Sequence, residues 1–249
     1  MDDGLVSSMT KETTIMNSTR TRRVATFATA VAVAACLSVT LAVPAHAATS
    51  DDEAYTRSFL TEYGVPTTTQ DALVDKLSHG QTLDSAKSGA IPVSSRTITT
   101  ATADEVVSTF ADGSISVSGT EQAAPAASGS IAPRAIKGCK ESNGGGYVVM
   151  SGCTVYLQTA SYELSFKATY ERYTGGAQID SAPSSSLYVN AFWGSVDSKS
   201  LAIKRKKQDG SKDAVATAHA HYVGNTGHQS EDLYMSLHVN SSKAFTTNY

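Results

Sequence analysis

The chain has 249 residues, with 20 basic and 23 acidic side chains and a formal net charge of −3. That balance excludes the basic footprint of a nucleic-acid-binding protein. The charge is unevenly spread: residues 48–121 carry 4 basic against 11 acidic side chains, and residues 134–249 carry 12 against 9.

The N-terminal stretch "MNSTRTRRVATFATAVAVAACLSVTLAVPAHAATS" sets Arg20, Arg22 and Arg23 ahead of an apolar run from Val24 to Val43, with small residues at Ala45 and Ala47 beyond it. This is the order of a secretory signal peptide spanning residues 1–47, with cleavage expected after Ala47. The run approaches the roughly 20 residues that span a bilayer. It is rich in Ala and Thr, however, and leads straight into the cleavage pattern, so no membrane span is expected in the mature chain. Met16 stands just ahead of the arginines and is the expected start, which makes residues 1–15 a mis-called extension. "VAAC" ending at Cys36 has the form of a lipoprotein acylation site. The apolar residues continue through Val43, though, where a lipidated cysteine is followed by polar chain.

With Cys36 removed, Cys139 and Cys153 remain as an even pair in an oxidising compartment. A bridge closing that segment stabilises a fold by about 3 kcal/mol on the chain-entropy model. No Cys or His pair with ligand spacing lies nearby, so the spacing favours a disulfide over a metal site.

In residues 48–121, Phe59, Leu60 and Tyr63 space as one helical face, and Gly64 with Pro66 ends that helix. Thr67 and Gln70 have capping-box spacing at the start of a second helix, with Leu73, Val74 and Leu77 on its apolar side and Gly80 at its end. His79 falls at that C-terminus, a structural position. Acidic charge and export both speak against a DNA-binding helix pair. Val107 and Thr109 alternate with Ile115 and Val117 about Asp112-Gly113, a hairpin signal. "EQAAPAASGSIAPRAIKG" is poor in large apolar residues, and residues 122–135 are predicted as a linker.

Residues 136–249 are predicted as a separate β domain. In "YELSFKATYERY", Tyr162, Leu164, Phe166, Ala168 and Tyr170 lie on one side and the polar residues on the other, the alternation of a half-buried antiparallel strand. "TVYLQ", "SLYVNAFW", "LAIKRK", "AVATAHAHYV" and "DLYMSLHV" repeat the style. The fold class is therefore mainly β: an antiparallel β-sandwich or related barrel preceded by a helix pair and a hairpin. Trp193 alternates with Leu187, Val189 and Ala191, which predicts burial among them.

Three stretches together carry a resemblance: "FLTEYGVPTTTQDALVDKLSHGQTLDS", "FADGSISVS" and "PRAIKGCKESNGGGYVVMSGCTVYLQTASYELSFKATYERY". The chain resembles a group of exported proteins of Gram-positive, mainly actinobacterial, genomes over most of its mature length. The shared features are structural, so the resemblance implies localisation and architecture and no particular activity.

The candidate site residues are few. On the two C-terminal strands His219 and His221 share one face and His238 has the outward position, so hairpin pairing could bring the three onto one surface. Such a set can hold Zn²⁺ with a position left for water, a hydrolytic centre in outline. Against it, no Asp or Glu is evidently placed to orient the imidazoles. "VGNTGHQSEDLYMSLHV" is similar to the ending of lysostaphin-like metalloendopeptidases, but the first His of their HxH is Ser236 here and residues 139–218 hold no His. No nucleophile elbow or phosphate loop is present, and no catalytic residue is assigned. Lys204, Arg205, Lys206 and Lys207 precede a turn at Asp209-Gly210 and are candidates for contact with an anionic polymer. The expected function is that of a secreted or envelope-associated, non-enzymatic binding protein without cofactor, its partner a cell-wall polymer or another extracellular protein. The alternatives are a pro-protein cut near Arg134 to release a toxin-like C-terminal effector, and a zinc hydrolase built on the histidines.

Overall fold

A computed structural model describes residues 50–100, 102–123, 138–227 and 229–248. The signal peptide with Ala47, Met16 and Cys36, and residues 124–137 of the expected linker and domain start, lie outside the described residues. Two helices come first, α1 (Ser50–Glu62) and α2 (Thr67–Ser78). The strands are β1 (Ser94–Thr99), β2 (Ala103–Thr109), β3 (Ile115–Glu121), β4 (Lys140–Gly144), β5 (Tyr147–Thr159), β6 (Tyr162–Tyr173), β7 (Gly176–Ser181), β8 (Tyr188–Ala191), β9 (Gly194–Arg205), β10 (Ala214–Gly224), β11 (Ser230–Val239) and β12 (Ala244–Asn248). Among the described residues no helix is long and apolar enough to cross a membrane.

The helix pair forms where the apolar spacing predicts it, with Phe59, Leu60, Leu73, Val74 and Leu77 all buried. The capping box does not form. Pro66 takes the cap position, where it offers no side-chain acceptor, and Thr67 is already inside the helix. Gln70 turns back instead, its Nε2 donating to Val65 O at 2.8 Å and to Thr61 Oγ1 at 3.1 Å. His79 closes α2, its Nδ1 2.8 Å from Asp75 O. Gly80 follows at φ 70°, and a Cβ there would run into Thr226 of the β10–β11 turn.

The strands form two antiparallel sheets. The larger has the order β1-β2-β3-β5-β6-β7, with β4 paired to β5 and β8 to β6; the smaller runs β12-β11-β10-β9. The two lie together as a sandwich, and the described residues belong to one compact unit. The β2–β3 hairpin pairs Thr109 with Ile115 and Val107 with Val117, as the alternation about Asp112-Gly113 predicts. β3 then pairs with β5, Ser116 opposite Thr159 through Thr120 opposite Val155. Residues 122–135 therefore lie in sequence between neighbouring strands of a single sheet. Cys139 and Cys153 are joined as a disulfide, which ties the lead-in of β4 to the bulge in β5.

Two apolar clusters cover the two faces of the larger sheet. Between the sheets, Tyr162, Leu164, Phe166, Ala168 and Tyr170 of β6 pack with Ala216, Ala218 and Ala220 of β10 and Met235 and Leu237 of β11. The alanine row lets the two backbones approach, while β6 and β11 supply the bulk. On the opposite face, α1 and α2 pack on Val107, Ile115, Val117, Ala160 and Trp193. Trp193 is buried as expected but sits in this second cluster, apart from Leu187, Val189 and Ala191. The chain turns between β8 and β9, which carries Phe192 and Trp193 to the helix side; Phe192 stacks on Tyr55 with ring centroids 3.4 Å apart.

Polar contacts lock the helices down. Trp193 Nε1 donates to Thr56 Oγ1 at 2.8 Å, and Thr56 Oγ1 donates to Ala160 O at 2.8 Å, all in the interior. Asp112 does the same for α2. It accepts from Ser114 Oγ at 2.6 Å, Asp84 N at 3.1 Å and Lys76 Nζ at 3.2 Å. Burial works to raise the Asp112 pKa, and the hydroxyl and amide of Ser114, the Asp84 amide and Lys76 together outweigh it, leaving the carboxyl below its ordinary value.

Two outcomes test this packing. Thr56→Val keeps the shape of the side chain but strands the Trp193 N–H and the Ala160 carbonyl, so urea unfolding should show a loss of about 2–4 kcal/mol. A protease site placed at Arg134 and cut should leave both fragments co-eluting on gel filtration in native buffer, because β3 stays hydrogen-bonded to β2 and β5; separation without denaturant would contradict the shared sheet.

Candidate functional site

The outer face of the smaller sheet carries the histidines. β10 and β11 pair with His219 opposite Tyr234, His221 opposite Asp232, and Val215 opposite His238. Because strand residues alternate between faces, His219, His221, Asp232, Tyr234 and His238 all point away from the sandwich interior. The register nevertheless separates the three imidazoles. His219 Nε2 and His221 Nδ1 both meet Asp232 Oδ1, at 2.8 and 3.1 Å. His238 lies six residues further along β11, which is roughly 20 Å of strand. There its Nδ1 is 3.4 Å from Asp213 Oδ2, its Nε2 is 3.1 Å from Thr247 Oγ1, and its ring stacks on Phe245.

The expected convergence of His219, His221 and His238 is thus corrected by register. Among the described residues no group of three His, Cys, Asp or Glu side chains is placed to hold a metal ion. The reading of the histidines as lacking carboxylate partners is corrected too: Asp232 and Asp213 serve them. The alternation of "DLYMSLHV" already puts Asp232 on the face of His238. What it leaves open is that Asp232 falls opposite His221, a long-range fact. The two imidazoles act on Asp232 as N–H donors, His219 first and His221 next, and hold its carboxyl below the ordinary value. What this cluster can do chemically is hold a charge in place between two titratable rings on an open surface.

The basic segment lies at the opposite end of β10. β9 ends at Arg205, and the chain turns through Asp209, which bridges Lys212, into β10 at Ala214. Lys204, Arg205, Lys206, Lys207 and Lys212 are all exposed. Among the described residues none of them forms an ion pair with a carboxylate. The backbone beneath is braced on both sides. Ile179 N donates to Lys206 O at 2.8 Å and Gln208 N to Ala177 O at 2.9 Å, which joins the turn to β7. Ser241 N donates to Gln208 Oε1 at 2.9 Å, which joins it to the β11–β12 turn. Arg205 Nη1 reaches Asp213 O at 2.8 Å. Lys204 and Arg205 end β9, and Lys206 and Lys207 follow in the turn, so the four adjacent cations sit together at the tip of the β9–β10 connection. Asp209 is the exposed acid within the turn.

Tyr188 is exposed, whereas Phe192 is stacked and Trp193 buried, so these three do not form a shared aromatic platform. No protein-family model matches the chain, and comparison with curated proteins and with solved structures found no match either.

Asp232 gives a pH prediction. A carboxyl held below its unfolded value contributes stability that is complete above about pH 4 and is lost as the pH falls through the folded value. The difference in urea midpoint between wild type and Asp232→Asn should therefore shrink as the pH falls below the ordinary carboxylate range. In His219→Ala, the Asp232 carboxyl followed by NMR should titrate closer to an ordinary aspartate.

Proposed function

We propose that the protein is an extracellular, non-enzymatic binding module that attaches to an anionic polymer of the cell envelope through the tip formed by Lys204, Arg205, Lys206, Lys207 and Lys212. The observation that carries this reading is a set of exposed cations with no carboxylate partner among the described residues, mounted on a turn braced to β7 and to the β11–β12 turn. Unpaired cations on a fixed support give up little internal energy when they meet a polyanion, and their field raises the rate of encounter. The signal-peptide pattern, the disulfide and the resemblance to exported proteins of Gram-positive genomes support a place outside the cell.

Two other readings are less well supported. Release of residues 136–249 as an effector requires β3 to be peeled from β5, since the acidic segment supplies β1, β2 and β3 of the larger sheet. A zinc hydrolase requires His238 to join His219 and His221, and it is bonded elsewhere.

Sedimentation with purified envelope polymer tests the proposal. Combining Lys204→Glu, Arg205→Glu, Lys206→Glu and Lys207→Glu should weaken binding at low salt by at least about tenfold, and wild-type binding should fall by a similar factor as salt rises toward about 1 M, where the screening length shrinks to roughly 3 Å. Binding indifferent to both changes would refute the electrostatic attachment.

A further inference from the structure

At one margin the larger sheet is wider than the smaller. β12 is the last strand of its sheet and pairs only with β11. It rests on β3 through Thr246, whose Oγ1 donates to Gly119 O at 3.2 Å and meets Thr120 Oγ1 at 3.2 Å. β2 and β1 continue the larger sheet past this contact by two strand spacings, or roughly 10 Å. Their inward face has no second sheet above it: Val106 is 38 % exposed, while Val107, on the helix side, is 1 % exposed. A cleft of about 460 Å³ occupies the space, with the edge of β12 as one wall and Thr97, Asp104, Val106 and Ser118 on its floor. That volume lies within the range of ligand-holding clefts.

We infer that this margin takes an extended peptide as an added strand, antiparallel to β12, with its C-terminal carboxylate at Lys243 and Arg172. The edge of β12 away from β11 has no backbone partner among the described residues, and an edge of this kind is a template for strand addition. An antiparallel guest ends where β12 begins, and the cations stand at that end of the cleft. Arg172 Nη1 donates to Ser242 O at 2.7 Å, leaving its Nε buried without a partner. Lys243 Nζ lies 4.6 Å from the centre of the Phe245 ring, and neither cation pairs with a carboxylate among the described residues. Of the acids at this end, Glu121 already accepts from Thr154 N at 3.0 Å and Glu141 from Asn143 at 2.6 Å.

The floor specifies the guest further. Asp104 is exposed and faces Thr120 in the register, at the level of Thr246. The guest residue two before the C-terminus sits over it, which calls for Lys or Arg. Four before the C-terminus the guest side chain lies over Val106, which calls for an apolar residue. The period of two between these positions is the period of a strand.

The experiment is fluorescence anisotropy of the labelled hexapeptide Thr-Val-Thr-Lys-Thr-Val against the intact chain. Saturable binding is expected, weakened at least about fivefold by amidating the peptide C-terminus or by Asp104→Lys, and at least about tenfold by Val106→Arg. Both side chains are exposed, so the variants should melt with wild type, and a circular dichroism melt checks this. The combined Lys204 to Lys207 charge reversal should leave peptide binding within about twofold, which separates this site from polymer attachment. Absence of saturable binding up to about 1 mM, or binding unchanged by Val106→Arg, overturns the inference. A dimer in sedimentation that Val106→Arg dissociates assigns the edge to a second copy of the chain and overturns it equally.

Discussion

The seven residues of β3 are the constraint on which the rest of the architecture depends. Ile115 through Thr120 are all buried, hydrogen-bonded to β2 on one side and β5 on the other. Ile115 and Val117 face the helices, and Ser116, Ser118 and Thr120 face the other way. A strand covered on both faces normally reads as a continuous apolar run. Here half the run is small and hydroxylated. Small size has a local reason at Gly119, where a Cβ would come within 2.8 Å of the Asp104 carbonyl and 2.7 Å of the Tyr156 ring. The same economy of volume lets β12 settle on β3 through Thr246. Because the acidic N-terminal segment supplies this strand, the β-sandwich is complete only with that segment in place.

Local pattern and long-range register divide what the sequence makes legible. The alternation of "YELSFKATYERY" gives β6 and its buried face to the residue, and Asp112-Gly113 gives the hairpin, because both signals live within a few neighbours. The pairing of β3 with β5 crosses residues 122–146, which include the predicted linker and β4, and nothing local marks it. Trp193 shows the same limit. Its alternation with Val189 and Ala191 is real, but the chain turns after Ala191, and the indole is claimed by Thr56, 137 positions away. The histidines share a face as alternation requires, yet their partners depend on a cross-strand offset that alternation does not contain. Asp112 was legible as a turn residue and silent as the anchor of Lys76, since that role needs α2 folded against the turn.

The unevenness of charge along the chain becomes a polarity in space. β10 runs from Ala214, beside the basic turn, to Gly224, beside the helices, a length of roughly 35 Å. At the Gly224 end, Gly80 abuts Thr226, Thr82 bonds Gln229, and Ser88 N donates to Glu231 at 3.3 Å. Gly80, Thr82 and Ser88 of the acidic segment therefore lie at the end of β10 remote from Lys204–Lys207, while Asp104 and Glu121 of the same segment lie near Arg172 and Lys243. Its own cations are largely consumed nearby: Arg57 pairs with Glu53 and Asp71, Lys76 with Asp112, and Lys87 with Asp84. The C-terminal cations at the tip have no such partners among the described residues.

This difference in pairing, more than the net charge, is what gives the surface direction. A net acidic molecule would be repelled by a polyanion if its charges were evenly mixed. If the tip is the attachment surface we propose, the acids of the helix pair lie several screening lengths from it at physiological salt, where fields fade over about 8 Å. In that attachment the acids on the helix side would add little repulsion and would bias approach so that the helices face away. The turn that carries the cations meets the lead-in to β12 where Ser241 N donates to Gln208 Oε1. The proposed attachment surface and the proposed strand-binding margin would thus draw on adjoining cations, and the bracing of Gln208 to Ser241 joins the two.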